Sequence, residues 1–136
     1  MDDTSSDEPP VGPQGDVYDW YVRGMELLSS GNAAAAEQLL SHAVAADPDS
    51  RSLREAHARA QFDAGRYEDA RASFAEIVEG NPADDYAQFG LGMSAFRVGD
   101  HDTAVEHLAL AVAMRPDLDH YAKALRRARA ARTGRT

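Results

Sequence analysis

The chain has 136 residues, of which 43% are hydrophobic and 27% charged, a composition typical of one folded globular domain. It contains no cysteine, which excludes disulfides, thiolate catalysis and cysteine–zinc sites. Because the net charge is −9, phosphate backbones are unfavourable ligands for the main surface, and we expect no nucleic-acid partner.

The start of the chain differs in composition from the rest. Residues 1–15 are acidic, rich in proline and glycine, and without apolar periodicity, which predicts a disordered tail. Neither a basic–apolar leader nor a stretch of ~18 apolar residues is present, so we expect a cytoplasmic protein that does not bind membranes. Thirteen arginines against one lysine, with abundant alanine, are typical of a GC-rich bacterial genome.

The two ends of the chain carry opposite charge. Residues 1–16 contain five acids and no base, whereas 119–136 contain six bases and one acid. The basic end is either a solvated helix end or a contact for an acidic partner, including the acidic tail of another copy.

Three markers recur every 34 residues, which is the length of one helix–turn–helix unit. They are Gly31, Gly65 and Gly99; Ala36, Ala70 and Ala104; and Pro48, Pro82 and Pro116. Glycine ends a helix at little energetic cost because it readily adopts the left-handed backbone conformation, and proline cannot continue a helix interior. Hence we predict helices over 17–30, 33–46, 51–64, 67–80, 85–98 and 101–114, and a capping helix over 118–132. Residues 133–136 are predicted to be a second disordered tail.

The same register assigns caps and packing positions. Asn32, Ser50, Asp84, Asp100 and Asp117 are predicted N-caps. The small residues Gly24, Ala58 and Gly92 are predicted to face Ala36, Ala70 and Ala104, where paired helices cross closely. The large core residues of the second helices are predicted to be Leu40, Phe74 and Leu108.

These small-residue, alanine and proline positions resemble the tetratricopeptide repeat. The family's aromatic near the start of the first helix is matched by Trp20 alone, since Arg54 and Gln88 stand at the later positions. The resemblance covers about 17–118, with repeats at about 17–50, 51–84 and 85–118, inside a domain of 17–132. It implies an all-α, right-handed superhelical solenoid of three antiparallel helix pairs, whose inner face is lined by the first helix of each pair.

The period predicts which side chains face that inner surface. The predicted partner-binding residues are Tyr18, Tyr21, Met25, Glu55, Arg59, Tyr86, Phe89, Met93, Arg97, Lys123 and Arg127. They are more apolar than a solvated face, and aromatic residues and methionine are favoured at interfaces. For Leu28, Phe62 and Phe96 the period leaves core and groove both open.

Some tetratricopeptide domains hold a chaperone's C-terminal carboxylate with basic and amide side chains. The matching positions here carry Tyr21, Met25, Tyr86 and Gly90, so this carboxylate site is not expected.

Other chemical motifs are better explained by the repeat. Gly90, Gly92 and Ala95 match a dinucleotide fingerprint in spacing, but they fall inside a predicted helix and not after a strand. Neighbouring acids such as Asp84 and Asp85 suit helix starts. No two of the five histidines are three or four residues apart, and His57 alone occupies a core-facing position. We therefore expect no catalytic, cofactor or metal site.

The sequence thus predicts a non-enzymatic adaptor or co-chaperone-like module that binds a peptide or helix of another protein. Two alternatives remain open: a structural protein that forms homo-oligomers, and a regulatory subunit of an enzyme.

Overall fold

Residues 15–134 are the part of the chain that the structure, a computed structural model, describes, and they form seven helices joined by short turns. The helices are α1 (Val17–Ser29), α2 (Ala33–Ala46), α3 (Arg51–Asp63), α4 (Tyr67–Gly80), α5 (Asp85–Arg97), α6 (His101–Met114) and α7 (Asp119–Gly134). None of the seven is long and apolar enough to cross a membrane. The all-α prediction is confirmed.

The helices begin and end within two residues of the predicted bounds. The capping helix α7 starts at Asp119 and continues through Thr133 and Gly134, which the sequence assigned to the tail. Most of the predicted tails, 1–14 and 135–136, lies outside the described residues, and the outer domain bounds stay predictions.

A glycine lies in the turn between the two helices of each pair. Gly31, Gly65 and Gly99 have φ of 83°, 83° and 88°, in the left-handed region where a side chain would be strained. Their positive φ is the conformation that the sequence predicted for the turn between paired helices.

Three of the predicted N-caps form their hydrogen bonds. The side chains of Ser50, Asp84 and Asp100 accept from the backbone N–H three residues later, at 3.2, 3.0 and 3.2 Å. Asp16 and Asp19 form a reciprocal capping box on α1 that the sequence analysis did not identify.

Two predicted caps are wrong. Asn32 occupies the N-cap position of α2, but its amide Nδ2 donates to the Ser30 hydroxyl 3.0 Å away instead of capping the helix. Asp117 precedes the start of α7 by two residues, and its carboxylate accepts hydrogen bonds from Arg115 Nε and Nη2 at 3.0 and 2.8 Å. The guanidinium of Arg115 therefore holds Asp117 away from the helix and keeps its pKa below the usual value.

Each unit packs around one large side chain. Leu40, Phe74 and Leu108 are 0%, 2% and 0% exposed, as predicted. At Gly24 and Gly92, however, the nearest atoms of the neighbouring helix belong to these large residues and not to the predicted alanines. A Cβ on Gly24 would lie 2.6 Å from Leu40 Cδ2, and one on Gly92 would lie 2.7 Å from Leu108 Cγ. Glycine is needed there because the neighbouring helix carries a full-sized core residue.

Gly90 has the same role two residues earlier in α5, on the opposite side of the helix. A Cβ at this position would lie 2.4 Å from the Phe74 ring. The spacing of Gly90 and Gly92 therefore reflects close packing on both sides of α5, and not a phosphate-binding loop.

The stack is curved, with the odd-numbered helices on the inside. Helix α3 contacts α1 and α5, and α5 contacts α7. Within 15–134, α4 does not come within contact distance of α2 or α6. Consecutive first helices thus form a continuous inner wall, as the solenoid architecture requires.

Candidate functional site

A groove runs along this inner wall between α1, α3 and α5. Its first part, a cavity of about 240 Å³, is lined by Tyr21, Met25, Ser52, Glu55, Ala56, Arg59 and Tyr86. Its second part, of about 150 Å³, is lined by Arg59, Phe62, Asp63, Phe74, Tyr86, Phe89, Gly90 and Met93. Because Arg59 and Tyr86 belong to both cavities, we treat the two as one site and call it the central groove.

Seven of the eleven predicted binding residues line the central groove: Tyr21, Met25, Glu55, Arg59, Tyr86, Phe89 and Met93. They come from three helices that are far apart in sequence, and the 34-residue repeat brings them to one surface. Whether these residues bind a partner stays a prediction.

The groove side chains are less exposed than a free apolar strip would be. Tyr21, Met25, Tyr86, Phe89 and Met93 are all half-buried and pack against the core clusters of their units or line the wall beside them. These residues therefore do not form a freely exposed strip, because neighbouring repeats cover one side of each residue.

Phe89 shows how this covering arises. Its ring stacks on Tyr121 of α7 at 4.5 Å between centroids, and the edge of His120 approaches at 5.3 Å. The Tyr121 hydroxyl donates to Asp85 Oδ2 at 2.7 Å, and this contact together with burial raises the pKa of Tyr121. The capping helix therefore closes the far end of the groove.

Four predicted residues lie outside the central groove. Tyr18, at 71% exposure, lines an open shelf on α1 together with Trp20, Val22 and Leu39. The Arg97 guanidinium lies 4.3 Å from the Tyr67 ring centroid, and that of Arg127 lies 5.3 Å from the Phe96 ring. Lys123 is exposed on α7.

That open shelf on α1 is larger than the groove, at about 610 Å³. Apart from Leu39 of α2, the residues that line it all belong to α1. A shelf of this kind encloses less of a ligand than a groove between three helices. We therefore take the central groove as the candidate site.

The structure shows whether the three residues that the period left open lie in the core or in the groove. Leu28 is 6% exposed and belongs to the core of the first unit. Phe62 is half-buried, packs edge-on against Tyr67 and lines the groove. Phe96 is half-buried between His101 and the Arg127 guanidinium.

Two of the histidines that were expected to be exposed, His101 and His107, are half-buried, whereas His42 and His120 are exposed as expected. His57 is half-buried as expected, with Nε2 3.0 Å from Glu37 Oε2. His107 is half-buried as well, because its Nδ1 lies 2.7 Å from the amide oxygen of Gln88, which is itself 3% exposed. His101 is half-buried against Phe96.

Glu55 is the electrostatic centre of the groove. Its carboxyl group is in hydrogen-bond contact with that of Asp84, and burial together with this neighbour raises the pKa of Glu55 to about 8. Arg51 Nε approaches Glu55 at 3.9 Å from the exposed side and opposes the shift. Burial also raises the pKa of Tyr86 to about 12, so its hydroxyl stays protonated and can donate a hydrogen bond.

Asp84 is the functional candidate that the sequence analysis missed. Its position before α5 indicated a cap, and one carboxylate oxygen does cap the helix. The other oxygen, Oδ2, is buried, and no backbone N–H, amide, alcohol or basic group of residues 15–134 donates to it. Nothing in the spacing of the two residues indicated this contact, since it depends on how α5 packs beside α3.

The comparisons with known proteins agree with this architecture. A profile of the tetratricopeptide repeat family matches residues 55–119. No curated protein sequence matches the chain.

Solved structures share the fold at low sequence identity. A structure of MamA from MSR-1 aligns with a TM-score of 0.75 at 21% identity, over 88% of this chain and 68% of MamA. The first repeat domain of Spaghetti (RPAP3), bound to the HSP90 peptide SRMEEVD, aligns at 0.80 and 18% identity, over 88% of this chain and 94% of that domain. The second such domain of human RPAP3, in complex with the HSP70 peptide SGPTIEEVD, aligns at 0.76 and 17% identity, over 83% and 94%.

The period, the glycine turns, the curved stack and the profile match all lead to one assignment. Residues 55–119 belong to the tetratricopeptide repeat family, and the described chain as a whole has the fold of that family, with three helix pairs and a capping helix.

Proposed function

We propose that the central groove binds an extended or helical segment of another protein, so that the chain acts as an adaptor or co-chaperone-like module without enzymatic activity. One observation carries the proposal: three first helices bring half-buried tyrosine, phenylalanine and methionine side chains to a single concave surface. Such side chains suit interfaces, since they offer large contact areas and methionine adapts to varied partners.

Similar structures support binding in general but not one ligand. The two RPAP3 domains hold peptides that end in Glu-Glu-Val-Asp. This chain places Tyr21, Met25 and Glu55 in its groove, which favours apolar side chains over an acidic chain end. We therefore infer a protein segment of different chemistry.

Site-specific photo-crosslinking tests the proposal. Benzoylphenylalanine replaces either Tyr21, in the groove, or Tyr18, on the open shelf, and each tagged protein is irradiated in lysate of the source organism. We expect position 21 to capture a protein that position 18 does not, and the added variant Arg59→Ala to reduce that capture. Capture of the same proteins from both positions would show that the groove is not the binding surface.

Self-association is a second candidate, favoured by the ends of the stack. The first helix exposes Tyr18 and Val22 beside the acids Asp19 and Glu26, whereas α7 exposes a row of arginines. Opposite charge on the two ends would allow head-to-tail contact between copies. Light scattering over a dilution series tests self-association: a monomer at every concentration excludes it.

A regulatory-subunit role is a third candidate, and it would appear as an enzyme among the crosslinked partners.

A further inference from the structure

The two carboxylate oxygens of Asp84 differ in their hydrogen bonding. Oδ1 accepts the Ala87 backbone N–H at 3.0 Å, but Oδ2 is shielded from water, and no backbone N–H, amide, alcohol or basic group of residues 15–134 donates to it. The whole residue is 7% exposed. An unpaired buried carboxylate oxygen is costly in a native protein and indicates a group that is still to be bound.

The side chain that Asp84 faces is another acid. The carboxyl group of Glu55 is in hydrogen-bond contact with it, and Asp85 adds further negative charge nearby. Two carboxyl groups in contact are stable either when they share a proton or when a cation lies between them. At neutral pH a proton on Glu55 can therefore hold the place that a cation would take.

The basic groups of residues 15–134 do not fill this place. No basic side chain within 15–134 forms an ion pair with Asp84. Arg51 touches Glu55 at 3.9 Å from solvent, and its side chain is 62% exposed. Arg59 lines the groove, but its Nε lies 3.5 Å from Asp63 Oδ2, which offsets its charge.

The walls beside Glu55 suit a long basic side chain. Tyr21, Met25 and Tyr86 line the same cavity of about 240 Å³, and Ser52 adds a hydroxyl. Lysine and arginine have apolar stems that pack on such residues, while their charged heads are attracted to aromatic faces. The cavity thus offers an apolar wall with the carboxyl group of Glu55 beside it.

We propose that the central groove recognises an arginine or lysine side chain of the bound segment, whose charged head pairs with Glu55, the acid that lines the cavity beside the buried Asp84. This inference rests on the proposed function and adds the chemistry of its ligand. Arginine fits best, because its planar guanidinium can donate two hydrogen bonds to the Glu55 carboxylate and stack on the tyrosine rings of the cavity.

Binding should then depend on pH in a defined direction. The charged groups around the pair are Arg51 and Arg59 of α3 and Asp85 of α5, with the hydroxyls of Tyr86 on α5 and Tyr21 on α1. Because the pKa of Glu55 is about 8, a cation that binds below this pH must displace a proton. Affinity for a basic peptide should therefore increase between pH 6 and pH 9, whereas that for a neutral peptide should not.

Peptide selection tests the inference on the full chain. Random 12-residue peptides displayed on phage are selected at pH 8.5 against the wild type and against the double variant Glu55→Gln, Asp84→Asn. Asparagine still caps a helix, so the double variant keeps its fold while losing the acidic pair. The matched control is Glu79→Gln, Glu106→Gln, which removes the same charge from exposed positions on α4 and α6.

A second measurement needs no variant. The best selected peptide is synthesised with arginine and with citrulline, which has the same shape but no charge. We expect the arginine peptide to bind about tenfold tighter at pH 8.5, with a smaller ratio at pH 6, as for a charge pair that is partly buried. Calorimetry in two buffers of different ionisation enthalpy should show release of a proton on binding at pH 7.

The outcomes separate the inference from the proposed function. Enrichment of arginine or lysine by the wild type and the control, but not by the double variant, supports both. Groove-dependent peptides without a basic residue, or equal binding of arginine and citrulline peptides, would overturn the inference and leave the groove function standing. If no selected peptide loses affinity on Tyr21→Ala, the groove function fails, and the inference fails with it.

Discussion

Glu55 is the residue where burial and a like charge most clearly oppose ionisation. In the unfolded chain the pKa of Glu55 returns to its ordinary value of 4.5, whereas in the fold it is about 8. The folded protein therefore binds more protons than the unfolded chain between these values, and its stability decreases as pH rises from about 4.5 through 8.

Replacing Glu55 by an uncharged residue should remove this loss of stability at high pH. We expect Glu55→Gln to be more stable than the wild type at pH 9 and similar to it at pH 5. The gain should be about 1–2 kcal/mol after a discount for solvent screening at a partly exposed group. Urea unfolding followed by circular dichroism at both pH values measures the difference. Glu79→Gln serves as the control, and an equal pH dependence in wild type and Glu55→Gln would contradict the shifted pKa.

Gly90 provides a second test at the residue scale. Alanine favours helices over glycine by about 1 kcal/mol, so propensity alone predicts that Gly90→Ala is stabilising. The structure predicts the opposite, because the new Cβ would lie 2.4 Å from the Phe74 ring. We expect a loss of about 1–3 kcal/mol from overpacking. Gly80→Ala, which has open space around its Cβ, should be neutral or stabilising, and a gain at both sites would show that Phe74 moves aside.

At the scale of the helix, two N-cap residues have similar backbone angles but differ in whether the side chain forms the capping hydrogen bond. Asn32 and Asp100 both precede a second helix, with φ of −101° and −88° and ψ of 60° and 80°. Asp100 accepts the Thr103 N–H and contacts Arg71 Nη1 at 3.3 Å, so its pKa is lowered. Asn32 has no cap bond.

Alanine at each position should therefore have unequal effects. We expect Asp100→Ala to cost about 1 kcal/mol, the usual value of a cap, and Asn32→Ala to cost clearly less. Because the pKa of Asp100 is lowered, its contribution should be complete at neutral pH and lost as the solution is acidified. Denaturant titrations at pH 7 and pH 3 measure both effects, and equal costs at pH 7 would mean that the observed cap bond does not stabilise α6.

At the scale of the whole molecule, the repeats differ in how many neighbours they have. Helix α5 packs against α3, α4, α6 and α7, whereas α1 contacts α2 and α3 alone within the described chain. Stability in a solenoid follows nearest-neighbour contacts, so the first repeat should open more readily than the last.

Hydrogen exchange measures this gradient directly. We expect the amides of α1 to exchange faster than those of α5, with α3 between them. The helices have equal length, 13 residues each, which makes them matched probes. A bound segment that lies in the central groove should slow exchange in α1 most, because α1 forms an outer wall of the groove. Uniform exchange across all three would indicate that the described chain opens as a single unit.

The sequence alone determined the repeat, the helix bounds and the turns, because each depends on local chemistry. A glycine at Gly31 or Gly65 permits the left-handed turn wherever the rest of the chain lies, and a period of 34 residues repeats that geometry. The same period correctly assigned Tyr21, Met25 and Met93 to the inner wall.

The tertiary structure alone decided how far those side chains are buried and which charges meet. Tyr18 and Tyr21 are three residues apart, yet the first lies on an open shelf and the second in the groove, since α3 packs beside one of them. Glu55 and Asp84 are 29 positions apart, with no local rule connecting them. Their contact exists because α5 packs against α3 with its N-terminus beside Glu55, and this packing depends on side chains such as Phe74 meeting Gly90 across repeats.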